Sequence, residues 1–230
     1  THLSGGLDSS GIACLAAPQL EAPLSVFTGG FTAADRYDES RYARIVAESL
    51  GAQYHQVFPT AQDLAGSFEE MVYYLDEPVA GAAVFPQYFL SKLASQHVKV
   101  VLGGQGGDEL FCGYTRYLIG YVESCLQKAI YGSAPLVGGE SLSSIEESLT
   151  YLRGFEPTMQ KLFANGLFSN PGARYYRLLQ RSQDMERILA NSGWRGGGYS
   201  TAEAFCAEFD GVQSNELIDR MLYIDIKNHL

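Results

Sequence analysis

The stretch Ser4-Gly5-Gly6-Leu7-Asp8-Ser9-Ser10 follows a short apolar stub ending at Leu3 and leads into the apolar, helix-compatible run from Gly11 to Ala17. This order reads as strand, loop and helix, which points to a layered α/β fold. A loop of Gly and Ser lets several backbone N–H groups approach one anion, and the following helix aims its positive end at the same place. Ser4, Gly5, Gly6, Ser9 and Ser10 are therefore the expected cradle for a phosphate or pyrophosphate. Asp8 adds a carboxylate that makes sense beside phosphate when Mg²⁺ bridges the two. The loop has neither the Lys of G-x-x-x-x-G-K-S/T nor the spacing G-x-G-x-x-G. Backbone dipoles, hydroxyls and metal must then neutralise the anion. The plain alternative is an ordinary Gly/Ser turn.

A second motif has the same logic. Val98-Lys99-Val100-Val101-Leu102 reads as a short buried parallel strand. It runs into Gly103-Gly104-Gln105-Gly106-Gly107-Asp108-Glu109-Leu110-Phe111-Cys112-Gly113-Tyr114. Ligands of open α/β sheets sit outside the carboxyl ends of the strands. Both loops are thus expected to face one pocket, with Asp8 and Asp108 as joint ligands for Mg²⁺ on a triphosphate. An acid acting as a helix N-cap would explain one of Asp108 and Glu109, but not the glycines before them.

The first motif, S-G-G-x-D-S-S, resembles the signature of the ATP pyrophosphatases. With Asp76-Glu77-Pro78, Phe85-Pro86-Gln87-Tyr88 and the second motif, the chain resembles the synthetase domain of the glutamine-hydrolysing asparagine synthetases and the related β-lactam synthetases. The resemblance runs clearly over Thr1–Tyr117 and returns in Leu217–Leu230. It implies a doubly wound parallel sheet of the adenine nucleotide α-hydrolase-like kind, followed by a mainly helical C-terminal region. ATP and Mg²⁺ are the implied cofactors. The implied reaction joins ammonia to aspartate through β-aspartyl-AMP, releasing AMP and pyrophosphate, with ammonia supplied by an N-terminal glutaminase domain.

By the same resemblance, the backbone near His2 and Leu3, the strand end at Thr28 and Gly29, and Gly103 with Gly104 surround the adenosine. Gln105 stands where the family often has Glu or Asp; an amide there can hydrogen-bond but cannot move a proton. It is expected to contact substrate, and Glu77 to line the cleft as an acid, although D-E-P also serves as a plain turn. Two other readings stay open: a relative that adenylates a different carboxylate, and a nucleotide-binding module without catalysis. Starting inside a strand and ending before the segment where the family places a catalytic Lys, the chain reads as a domain fragment; Lys227 lies too early for that role.

The length of 230 residues suits one large domain or a domain with a helical annex. The expected division is a nucleotide-binding α/β core over 1–117 and a helical part over 118–230. The formal charge of −10 and the lack of a basic patch argue against a nucleic-acid partner. Arg174-Tyr175-Tyr176-Arg177 with Arg181 is the nearest thing to an RNA-stacking cluster, but beside Leu178-Leu179 it reads as a solvated helix face. Four cysteines without a C-x-x-C pair fit a cytoplasmic free-thiol protein, with Cys14 and Cys206 expected as small buried thiols. No apolar run approaches the roughly 20 residues of a membrane span.

Strands are further expected at Thr1–Leu3, Leu24–Thr28 and Tyr54–Phe58. Helices are expected at Tyr37–Leu50, Ala61–Leu75, Phe85–Gln96, Ser144–Leu152, Tyr175–Ala190, Thr201–Glu208 and Asn215–Leu230. Loops are expected around 132–139 and 192–198.

Overall fold

Two parallel strands, Ser25–Gly29 (β1) and Gln53–Val57 (β2), pair in register with Val26 opposite Tyr54 and Thr28 opposite Gln56. They belong to a computed structural model that describes residues 1–30, 38–75, 81, 83–131, 145–164, 166, 168–180 and 200–229. The chain forms two compact units, Thr1–Gln105 and Gly106–Leu230.

In the first unit β1 is the buried centre, with Val26, Phe27 and Thr28 shielded from solvent. Thr1–Leu3 runs beside it as a parallel neighbour: Phe27 N–H donates to Thr1 O and Leu3 N–H to Phe27 O, both at 2.9 Å. The helices are Leu7–Ala16 (α1), Ser40–Ser49 (α2), Ala61–Tyr74 (α3) and Val84–Ser95 (α4). Small residues let the first two approach the strands closely, so Ala13, Ala43 and Ala47 pack with Leu3, Leu24 and Val26 in one core. Phe27 meets the rings of His55 and His97 instead. The start of α3 is fixed by a capping box, Thr60 with Asp63, which satisfies two backbone donors reciprocally.

Val98–Leu102 is not a strand. Val98 N–H donates back to Ala94 O at the end of α4, and Leu102 O accepts from His2 N–H, both at 2.9 Å. Val100 is 78% exposed and Leu102 49% exposed, so the burial that favours a β-branched run is missing here. The positions expected for the other strands and helices of this unit hold to within a few residues.

Among the described residues of the second unit every regular element is helical, the α-helices being Gly107–Phe111 (α5), Thr115–Tyr131 (α6), Glu146–Leu152 (α7), Glu156–Leu162 (α8), Pro171–Leu179 (α9), Thr201–Gly211 (α10) and Leu217–His229 (α11). One core gathers Ile119, Val122, Cys125, Ile145, Leu152 and Leu162; another gathers Tyr117, Tyr175, Phe209, Met221 and Ile224. The compact units part between Gln105 and Gly106, ahead of the 117/118 division read from the sequence, because Tyr117 packs within the second.

Two side-chain expectations are corrected. Arg174 and Tyr175 do not lie on a solvated face; both are buried, and Arg174 pairs with Glu123 at 2.6 Å. Cys14 is exposed and Cys206 half-buried, while Cys125 is the buried thiol; all four cysteines are free. Arg181, the outer part of the helix expected over Tyr175–Ala190, and both expected loops lie outside the described residues. Taken together, the architecture is α/β, mostly helical, with a small parallel sheet.

Candidate functional site

The loop Ser4–Gly6 opens directly from the strand-like Thr1–Leu3 segment. Gly6 caps α1 without any side-chain bond to the helix start. The first intrahelical bond is Ser10 N–H to Gly6 O at 3.0 Å, so the N–H groups of Leu7, Asp8 and Ser9 precede the helical ladder. Two hydroxyls hold the turn closed. Ser4 Oγ accepts from Gly6 N–H at 3.2 Å, Ser9 Oγ accepts from Ser4 N–H at 3.2 Å, and the two oxygens stand 3.0 Å apart. Ser10 Oγ is buried with no hydrogen-bond partner. Among the described residues no hydrogen bond or ion pair engages the half-buried Asp8 carboxylate, which lies in the first helical turn where the dipole favours negative charge.

Gly5 has φ +86°, and a Cβ built there would come within 2.5 Å of Ala43 N and Tyr42 Cβ. The start of α2 therefore backs the loop so closely that only glycine fits. Gly104 makes the second close approach. A Cβ on Gly104 would stand 2.9 Å from Ser9 N and 3.1 Å from Asp8 Cβ. The structure thus brings the start of the second motif against the first turn of α1. Gln105 is exposed, and its side chain folds over Gly103.

Thr28 and His2 serve the sheet. Thr28 is buried, and its hydroxyl donates to Leu3 O at 2.7 Å. Among the described residues, a Cβ on Gly29 would meet nothing within 4 Å. The His2 ring lies 3.4 Å from Gln87 Nε2, its own Nε2 is buried without a partner, and burial lowers its pKa.

In the second unit α5 carries Asp108 and Glu109. Gly106, not an acid, is its N-cap, and Asp108 O accepts from Gly113 N–H at 2.9 Å to close the turn. Glu109 is buried and accepts from Tyr114 Oη at 2.9 Å. Burial, with the Glu109 hydrogen bond adding to it, pushes the Tyr114 hydroxyl up to about 12.

Arg116 lies over the Tyr114 ring at 3.8 Å. It donates through Nε at 2.9 Å and Nη2 at 2.7 Å to Asp225 Oδ2, which also accepts from Tyr175 Oη at 2.5 Å and from Tyr117 Oη. The motif acid Glu109 and α11 are thus joined through one run of aromatic and ionic contacts. The sequence reading missed this network, since Asp225 lies 109 positions from Arg116 and no local pattern links them.

Glu77 lies outside the described residues. Among the described residues no group of three or more His, Cys, Asp or Glu side chains is placed to hold a metal ion. The Asp8 carboxylate beside the loop fits Mg²⁺ only if the ion arrives on a phosphorylated ligand that supplies most of its oxygens.

A parallel strand edge, a Gly/Ser turn closed by its own hydroxyls and a helix start without a side-chain cap thus stand together in the first unit, an α/β layer. The asparagine synthase family model matches residues 1–230, and the chain belongs to that family. A Mycobacterium tuberculosis protein named "Putative asparagine synthetase (glutamine-hydrolyzing)" is 44% identical over 115 residues, covering 50% of this chain and 17% of that protein. Asparagine synthetase (glutamine-hydrolyzing) 1 of Bacillus subtilis is 36% identical over 117 residues, 51% of this chain and 18% of its own. Asparagine synthetase (glutamine-hydrolyzing) 3 of Arabidopsis thaliana is 35% identical over 124 residues, 49% of this chain and 21% of its own. The matched stretch spans about a sixth to a fifth of the length of these relatives. No helix among the described residues is long and apolar enough to cross a membrane.

Proposed function

We propose that this chain is the ATP-binding synthetase portion of an asparagine-forming ligase. Family membership and the names of its relatives support that reading, and the packing of Gly104 on Asp8 and Ser9 carries it for these residues. In this account the sheet is part of a doubly wound arrangement of the adenine nucleotide α-hydrolase-like kind. ATP supplies an α-phosphorus that a carboxylate can attack, giving an acyl-adenylate and pyrophosphate. With aspartate the adenylate is β-aspartyl-AMP, and ammonia released by a glutaminase domain displaces AMP to form asparagine.

The Ser4–Ser10 loop holds the leaving pyrophosphate through the first-turn N–H groups of α1. Ser10 Oγ, unpartnered in the folded chain, supplies a further hydrogen bond, while Ser4 and Ser9 spend theirs on keeping the turn closed. Asp8 and Asp108 are proposed ligands for the Mg²⁺ that neutralises phosphate charge. The backbone of His2, Leu3, Thr28, Gly29, Gly103 and Gly104 is proposed to take the adenosine; the Thr28 hydroxyl is already committed to Leu3 O. Gln105 and Glu77 are proposed to face the carboxylate substrate. The four free thiols suit a cytoplasmic setting.

The test is AMP formation from ATP by the complete protein, with Mg²⁺ and ammonia, across a panel of amino-acid carboxylates. Aspartate-dependent AMP with equal asparagine supports the proposal. AMP driven by a different carboxylate keeps the chemistry and replaces the substrate. No AMP with any member of the panel contradicts the proposal.

A further inference from the structure

The second unit contains a polar pocket of about 140 Å³ whose lining residues lie outside both glycine motifs. Its walls include Glu123 and Gln127 of α6, Ser169, Arg174 of α9, and Asn215 and Arg220 at the start of α11. Arg174 is only 3% exposed. Its Nη2 pairs with Glu123 Oε1 at 2.6 Å, but Nε and Nη1 are buried with no hydrogen-bond partner among the described residues. Leaving guanidinium donors unpaired away from water costs free energy, and a planar fork of donors matches a carboxylate. Arg220 brings a second guanidinium, held by its Nε bond to Ser214 O at 2.7 Å. Asn215 and Gln127 add amide groups at the exposed rim.

We infer that this pocket binds a small α-amino acid, with its carboxylate on Arg174 and Arg220 and its ammonium group toward Glu123. The Glu123 carboxylate in the same wall decides between anions. It repels a phosphate dianion and attracts an ammonium, so a zwitterion satisfies both signs of charge. The volume is close to that of an engineered cavity that holds benzene, about 150 Å³, which suits an amino acid with a short side chain. The pocket lies wholly in the second unit and includes neither Asp8 nor the Ser4–Ser10 loop, so the inference does not rest on the proposed reaction.

The experiment is calorimetric titration of the complete protein, without ATP, by glycine, L-alanine, L-aspartate and L-asparagine, with acetate and inorganic phosphate in parallel. At least one amino acid is expected to bind one-to-one and more tightly than acetate or phosphate. Arg220→Gln, at a half-buried position whose folding is checked by thermal unfolding, is expected to weaken that binding about tenfold or more. Asp8→Asn is expected to leave it unchanged. Absence of binding by all four amino acids overturns the inference. So does binding that survives Arg220→Gln and disappears in Asp8→Asn, and tighter binding of phosphate overturns the zwitterion assignment.

Discussion

Gly104 lies against Ser9 so closely that a single added methyl would stand 2.9 Å from the Ser9 amide nitrogen. The contact joins two motifs that are 95 positions apart in the chain, and it does so at the helix start where the proposed anion is held. Gly104→Ala is expected to push the first turn of α1 aside and weaken ATP binding about tenfold, with a smaller effect on thermal stability. Titration with ATP beside a melting curve separates the two effects. Unchanged ATP affinity would remove Gly104 from the site.

Gly5→Ala is a stronger perturbation because both conformation and space forbid it. The residue sits at φ +86° with Tyr42 and Ala43 directly behind it. A loss of at least about 1–3 kcal/mol is expected in denaturant unfolding. A neutral result would mean that the turn can reopen, and the loop would then not be a rigid cradle.

The Asp225 carboxylate is the counter-charge for Arg116 in a setting where Asp225 is fully buried. Asp225→Ala strands that guanidinium, and about 3–5 kcal/mol of stability is expected to be lost. Tyr175→Phe removes one donor to the charged oxygen and is expected to cost about 1.5–3 kcal/mol. Urea unfolding of both variants gives the comparison, and equal losses would contradict the ranking.

The His55 and His97 rings lie 4.0 Å apart, tilted by 36°, and burial, with the nearby His97 second, holds the His55 pKa below the usual value of 6.5. Above pH 6.5 both folded and unfolded forms keep this ring neutral, so its contribution to stability is complete. As pH falls below 6.5 the unfolded chain takes up the proton first, and stability drops until the folded-state pKa is passed. Unfolding measured at pH 8 and pH 5 is expected to show that loss, and His55→Gln is expected to reduce it. A pH slope identical in the variant would assign the effect to other groups.

Much of the first unit was legible because its signals are local. The T-x-x-D pattern at Thr60 marks a helix start, and Gly51 ends the helix before β2. The glycines and serines of the first motif announced a loop at the start of a helix, whereas the need for glycine at Gly5 and the close approach of Gly104 came only with the packing of α2 and α1. Val98–Leu102 was misread because β-branched residues favour a strand only where neighbouring backbone and burial complete it, and here Val98 N–H turns back to α4 and Val100 is exposed.

The long helix α6 was missed because its buried residues, Tyr117, Ile119, Gly120, Val122, Glu123 and Cys125, crowd around more than one face and include a charge. Arg174 read as solvated for a related reason. Its partner Glu123 lies on a different helix, and only tertiary packing brings the pair together. Such ionic contacts leave no period in the sequence, which is why the candidate pocket around them was not foreseen.

In the proposed function the Ser4–Ser10 loop, with Asp8 beside it, holds the metal-bound phosphates of ATP. The most direct measurement compares Asp8→Asn with the unaltered protein for binding of Mg²⁺·ATP and of adenosine. The account predicts a large loss for Mg²⁺·ATP with adenosine binding retained. Equal loss of both ligands, or no loss of either, would contradict it.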